Sequence, residues 1–378
     1  MDISSELIHS LLPVFLVTVI GTSTVTVGLI EGIGEATAAI AKLFSGVLSD
    51  RLGRRKLLAG IGYGLSALTK PMFPLATTAG EVLTARFIDR IGKGIRGAPR
   101  DALVADVTPE AVRGAAFGVR QALDTVGAFA GPLLAMLLMV LYANNFRAVF
   151  WWALVPAALC VLLIIFGVQE PGRVKRSGNR SWPINKAELA RLSPRYWLVI
   201  GIGIIFALAR FSEAFLVLKA QSAGLALALI PLVYVWMNLI YALIAAPAGT
   251  LSDRIGRPKV LLAGLGTLVI ADLVLAFVPG LAGVFLGVGL WGAYLGQTQG
   301  LLPALVADTA PDDLRGTAFG LFNLLSGGTL LIASLLAGWL WDTYGPAATF
   351  AVGAAFSAVA ATGIAVRMDW HTTAQTPT

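Results

Sequence analysis

Twelve predominantly apolar stretches, each close to the roughly 20 residues a helix needs to cross a bilayer, follow one another along the chain. They run approximately over 1–20, 25–49, 57–77, 80–106, 111–141, 146–168, 194–220, 225–251, 259–278, 280–308, 314–341 and 346–367 and are numbered here as spans 1 to 12. A water-soluble core has no place for this pattern. Of 378 residues, 57% are apolar and 13% charged, against about 45–50% and about 25% in soluble domains. Lipid is therefore the solvent for most of the chain, and the expected fold class is an all-α membrane protein with twelve transmembrane helices. The longest connection contains Pro171, Gly172, Ser177, Gly178 and Pro183. It divides the chain into a six-helix N-terminal bundle over 1–168, a linker over 169–193 and a six-helix C-terminal bundle over 194–378.

The loop charges set an orientation. One set of connections carries Arg51, Arg54, Arg55, Lys56 and Arg113, the basic linker, then Arg254, Arg257, Lys259 and Arg315; the opposite set carries Arg147 and Lys219. By the positive-inside rule both termini and the linker are cytoplasmic, in a cell inner (plasma) membrane. The net charge of +7 thus reads as topology and cavity lining, not as a nucleic-acid surface. A single Cys160 and two histidines near the ends, His9 and His371, leave no expected metal site, catalytic triad or cofactor. No small-residue cleavage site follows a basic stretch at the start, so no cleavable leader is expected. The partners expected are the bilayer, a small-molecule substrate and protons, with the chain working as a monomer.

Two segments occur twice. Gly46-Val-Leu-Ser-Asp50-Arg51-Leu-Gly53-Arg54-Arg55-Lys56 returns as Gly249-Thr-Leu-Ser-Asp253-Arg254-Ile-Gly256-Arg257-Pro258-Lys259, at an offset of 203. Ala102-Leu-Val-Ala-Asp106 with Arg113-Gly114 returns as Ala304-Leu-Val-Ala-Asp308 with Arg315-Gly316, at an offset of 202. A parallel duplication of six spans suits a substrate site lying between two rocking halves. The first segment resembles the signature loop of the major facilitator superfamily, Gly-x-Leu-x-Asp-Arg-x-Gly-Arg-Arg/Lys, and the second resembles that family's acid-x6-Arg element. The resemblance covers the whole chain and implies two pseudo-symmetric bundles, alternating access and no enzymatic chemistry. Physically, Gly46 and Gly249 would admit a close neighbour. Asp50 and Asp253 could face a helix N-terminus of the other half, and Arg54, Arg55 and Arg257 could pair with Asp106 and Asp308. With Arg51, Arg113, Arg254 and Arg315, these residues form an expected gate closing the cytoplasmic side.

Charges at membrane depth are costly and so are functional candidates. Span 4 carries Arg86, Asp89, Arg90, Lys93, Arg96, Arg100 and Asp101, which at a helical period fall within an arc of roughly 140°. Span 2 adds Glu31, Glu35 and Lys42, span 5 adds Arg120 and Asp124, and span 7 adds Arg210 and Glu213. Two readings stay open: a self-neutralising ion network tying the helices together, or an electropositive cavity for an anionic or chelate-like solute. Gly92-Lys93-Gly94-Ile95-Arg96-Gly97 matches a dinucleotide fingerprint, but no strand precedes it, and close helix packing explains it better. Gly127-Ala-Phe-Ala-Gly131-Pro132 resembles an element of the family's proton-linked exporters, though Gly-x-x-x-Gly is also a general packing motif.

Proton coupling is expected to run through carboxyl groups. Ser5-Glu6 and Ser212-Glu213 read as repeat partners, and Arg210 can pair with Glu213 at i, i+3. Glu213, Glu6 and Asp124 are the coupling candidates, with Glu31 and Asp272 behind them. The expected function is a secondary active transporter, a proton-coupled exporter (antiporter) of a small organic solute. The alternative is a proton-coupled importer (symporter) of an organic anion.

Overall fold

The computed structural model describes residues 1–52, 54–109, 112–169, 189, 191–311 and 314–367. Most of the linker, the surroundings of Gly46, and the side chains of Asp50, Arg51, Arg113 and Arg315 named in the expected gate, lie outside what is described.

Span 1 comprises Asp2–His9 and Leu12–Thr18, span 2 Thr24–Leu52, and span 3 Arg55–Thr69 with a short Met72–Leu75 turn. Span 4 is Ala79–Val107, span 5 Arg113–Leu141, and span 6 Phe146–Trp151 with Leu154–Gly167. In the second half, span 7 comprises Pro194–Ala209 and Ala214–Ser222, span 8 Leu232–Ile255, and span 9 Arg257–Phe277. Span 10 comprises Gly280–Thr298 and Leu301–Thr309, span 11 is Arg315–Tyr344 and span 12 Pro346–Arg367. Among the described residues nine of these are long and apolar enough to cross a membrane. Spans 1, 3 and 4 fall short for local reasons. Span 1 is interrupted before Pro13, span 3 before Pro71, and span 4 is too charged. A proline lacks the N–H that would continue a helix and clashes with the preceding turn.

The duplication recurs in the packing. Span 2 packs on 4 as span 8 packs on 10; span 3 packs on 4 and 6 as span 9 packs on 10 and 12; span 1 packs on 5 and 6 as span 7 packs on 11 and 12. Large apolar side chains such as Leu68, Phe166 and Val366 are 74%, 82% and 76% exposed. A surface this apolar faces lipid. The charged helix, span 4, starts in a capping box. Thr78 Oγ1 accepts from the Glu81 N–H at 3.3 Å, and the Glu81 carboxylate accepts from the Thr77 and Thr78 N–H groups at 2.6 and 3.1 Å; such a cap satisfies amides that the helix itself leaves open.

The halves meet where span 2 runs along span 11. Small residues set the spacing: Gly28 lies against the Ser334 carbonyl, and a Cβ on Gly338 would fall 2.6 Å from the Thr24 carbonyl oxygen. At the end remote from the linker, Asp342 of span 11 caps span 2. Its carboxylate accepts from the Thr24 N–H at 3.1 Å, the Val25 N–H at 3.0 Å and the Thr24 hydroxyl at 2.5 Å. A carboxylate on a helix N-terminus contributes about 0.5–2 kcal/mol, so Asp342→Asn should raise the population parted at this end by roughly 2- to 30-fold. Spin labels on the facing ends of spans 2 and 11 would record it as a growing long-distance component. An unchanged distance distribution would remove the latch.

A cavity between the halves

Span 7 is unwound from Arg210 to Glu213. No proline lies there. Instead Ser334 of span 11 accepts from the Ser212 N–H at 3.2 Å, and the Ser212 hydroxyl accepts from the Ala214 N–H at 3.2 Å. Irregular backbone at membrane depth is tolerated where it lines a cavity, and one is present. It has a volume of about 260 Å³ and is lined by Glu6, His9, Glu31, Glu35, Arg90, Lys93, Ala128, Arg210, Phe211, Ser212, Glu213, Tyr234, Met237, Asn238, Tyr241, Leu295, Gln299 and Leu330. These residues come from spans 1, 2, 4, 5, 7, 8, 10 and 11, so both halves contribute.

Seven of the residues singled out in the sequence meet here: Glu6, Glu31, Glu35, Arg90, Lys93, Arg210 and Glu213. Their charges are arranged in pairs. Arg86 donates to Glu31 at 2.6 Å, with both side chains nearly inaccessible. Arg90 lies 3.2 Å from Glu35, and Arg210 lies 3.6 Å from Glu213. His9 bridges two carboxylates, with Nε2 3.2 Å from Glu31 and Nδ1 3.7 Å from Glu6, and its ring lies 5.5 Å from that of Tyr234. Lys93 is different. It is exposed into the cavity and makes no ion pair among the described residues.

The remaining candidates lie elsewhere. Asp89 is buried against Lys70 at 3.1 Å, and Lys70 also reaches Ser5 at 3.1 Å. Arg96 donates to Ser66 at 2.8 Å and lies over the Tyr63 ring. Arg120 pairs with Asp101 at 2.7 Å and Asp124 at 3.5 Å, while Arg100 is 3.5 Å from Asp124. Arg86, Asp89, Arg120, Asp124 and the exposed Lys42 therefore do not line the cavity. Most of the span 4 stripe is the self-neutralising network, because each buried cation found a carboxylate or hydroxyl within reach. Asp124 is held by two arginines outside the cavity. Gly127 and Gly131 sit where span 5 crosses span 1: added Cβ atoms would lie 2.8 Å from Asp2 Cβ and 2.7 Å from Glu6 Cβ. Pro132 follows them within the same helix. Gly92 packs against the Gly62 carbonyl and Gly94 against Ala41, so these glycines of the apparent fingerprint sit in close helix contacts.

Two of the ion pairs expected at the gate form, each within its own half. Arg55 pairs with Asp106 inside the N-terminal half, and Arg257 with Asp308 inside the C-terminal half. Neither pair crosses between halves. Arg54, Asp253 and Arg254 are exposed and make no ion pair among the described residues, and a Cβ on Gly249 would meet nothing within 4 Å. A cross-half carboxylate cap is made by Asp342 at the end remote from the linker.

Sequence reading missed His9, Tyr234, Asn238, Tyr241 and Gln299 in the cavity wall. His9 carries little signal in the sequence, because it lies near the start and is not one of the carboxyl groups expected to couple protons. Tyr234, Asn238 and Tyr241 do carry a signal: polar groups recur at i, i+4 and i+7 in an apolar span, one helical face.

Residues 1–330 and 214–377 match the profile of the Major Facilitator Superfamily. An uncharacterised MFS-type transporter of Methanocaldococcus jannaschii is 32% identical over 95% of this chain and 89% of its own length. The class C tetracycline resistance protein of Escherichia coli is 27% identical over 77% of this chain and 75% of its own. Among solved structures, a mutant of the nucleoside transporter NupG superposes with a TM-score of 0.82 at 14% identity, covering 97% of this chain and 98% of that one.

Proposed function

The chain belongs to the Major Facilitator Superfamily, a family of multi-pass transporters and not enzymes, and from that premise we propose that it moves a small organic anion together with protons. One observation carries the reading: Lys93 is the cavity cation with no carboxylate partner among the described residues. The three Arg–Glu pairs cancel, and Glu6 and His9 form a fourth couple that can take up a proton. Protonation there leaves the Lys93 charge uncompensated, which strengthens anion binding. By reciprocity the anion strengthens proton binding. An anion that engages Arg210 would likewise release Glu213 to accept a proton. Ligands that favour each other's binding travel in the same direction, so this linkage supports symport of the anion with protons, the alternative named from the sequence. Loading from one side and release to the other follow as the halves rock about the span 2–span 11 contact, with the Asp342 cap closing the far end. The division into bundles at 169–193, cytoplasmic termini and an inner-membrane location belong to the same proposal.

Export by antiport is the second reading. It draws on the Gly127–Pro132 element and on the likeness to a tetracycline resistance protein. Reconstituted vesicles separate the two. With labelled small carboxylates as probes, symport predicts accumulation when the outside is acid, and antiport when the inside is acid. No movement under either gradient would end the proton-coupling claim. Glu213→Gln should abolish gradient-driven accumulation while leaving anion–anion counterflow. Full accumulation in that variant would refute the role given to Glu213.

A further inference from the structure

A second group of buried polar atoms lies away from the cavity, among spans 7, 9, 10 and 12. Asp272 on span 9 is 0% exposed, and neither of its carboxylate oxygens has a hydrogen-bond partner among the described residues. Trp291 Nε1 and the Tyr294 hydroxyl on span 10 and the Ser357 hydroxyl on span 12 are likewise buried and unpartnered. The site is tight. A Cβ on Gly353 of span 12 would lie 2.8 Å from Asp272 Oδ2 and 2.9 Å from Phe211 Cε1. Phe211 in turn packs against Trp291 and Phe350 at centroid distances of 5.4 and 5.6 Å.

A charged carboxylate left alone in such a place costs several kcal/mol, so it must be neutralised. Among the described residues no ion pair reaches Asp272. Gly353 from span 12 lies beside it with Phe211 from span 7, and the phenol of Tyr294 from span 10 is within electrostatic reach; Trp291 packs on both Phe211 and Tyr294. Arg210, next to Phe211, is committed to Glu213 in the cavity. Among the described residues Asp272 belongs to no group of three or more His, Cys, Asp or Glu side chains that could hold a metal ion.

We propose that Asp272 is a second proton-binding site, occupied in this conformation and closed off from the cavity by the Phe211 ring. Phe211 belongs to both places: it lines the cavity and touches the space beside Asp272. Movement of the unwound 210–213 segment on substrate binding would admit water and allow the proton to leave, adding a proton to those carried in the cavity. The proposal concerns one carboxyl group and stands whichever solute the cavity takes.

Infrared spectroscopy of the full chain in lipid nanodiscs tests it without a substrate. The parent should show a protonated-carboxyl carbonyl band at neutral pH that Asp272→Asn removes. In deuterated buffer that band should shift slowly in the parent and about tenfold or more faster in Phe211→Ala, where loss of the ring opens the path. A band untouched by Asp272→Asn would overturn the assignment, as would loss of the parent's band on adding sodium, which would make this a cation site. Equal exchange rates in parent and Phe211→Ala would overturn the gate. If Asp272→Asn fails to fold, Asp272→Glu, which keeps the acid, should move the band without abolishing it; a band left unmoved would again overturn the assignment.

Discussion

Lys93→Gln lowers the affinity for small organic anions by about 10- to 100-fold, the loss expected when a charge-assisted contact worth roughly 1.5–3 kcal/mol is removed. The fold should be unaffected, because Lys93 is exposed into the cavity and pairs with no carboxylate among the described residues. This separates it from its neighbours: Arg86, Arg90 and Arg210 each hold a glutamate, so their removal changes the cavity and the scaffold together. The measurement is a thermal-shift and binding series on the purified protein, with mono- and dicarboxylates as probes beside neutral analogues of the same size. Affinity for the neutral analogues should be nearly unchanged. Lys93→Arg should retain most of the anion affinity. If Lys93→Gln bound the carboxylates as the parent does, the anionic substrate class would have to be abandoned.

Arg86→Leu should destabilise the N-terminal half by about 3–5 kcal/mol, because it strands the Glu31 carboxylate inside the bundle. The Arg86–Glu31 contact is 2.6 Å long, and the two residues are 2% and 1% exposed. Replacing both partners with leucine should recover most of the loss, since a well-packed apolar pair is often as stable as a buried ion pair. Thermal unfolding of the two single variants and the double one gives the coupling directly. A double variant no more stable than Arg86→Leu alone would show that the pair is not what holds span 2 to span 4. The rescued double variant carries a second expectation. Glu31 also holds His9 at 3.2 Å, so its loss should disturb proton-driven accumulation even where stability returns. That would divide the structural part of the network from its coupling part.

Much of the cavity was legible because a charge in lipid is conspicuous. Glu31, Glu35, Arg90, Lys93, Arg210 and Glu213 stand out against apolar spans, and a cost of a few kcal/mol per charge makes each one improbable without a purpose. Which of them would face open space was not legible. Arg86 and Arg90 are one turn apart on the same helix and resemble each other in sequence, yet Arg86 is absent from the cavity wall and Arg90 lines it. Only the position of span 2 distinguishes them. Lys70 went unread because it lies in the break before Pro71, and Asp342 because it sits at a helix end, where a carboxylate carries no signal of the partner it will cap.

The order of the spans, the duplication and the choice of lipid as solvent follow from the chain alone. Each depends on local composition or on recurrence along one dimension, and the transfer of apolar residues out of water needs no knowledge of neighbours. The pairing of charges, the unwinding of span 7 at Arg210–Glu213, the entry of His9 into the cavity and the isolation of Asp272 belong to the folded bundle. These depend on which side chain from a distant span arrives within about 3 Å, the range of a hydrogen bond. The repeated motif illustrates the boundary. Its presence in both halves could be read directly, but which of Arg54 and Arg55 would meet Asp106 was set by the packing of spans 3 and 4.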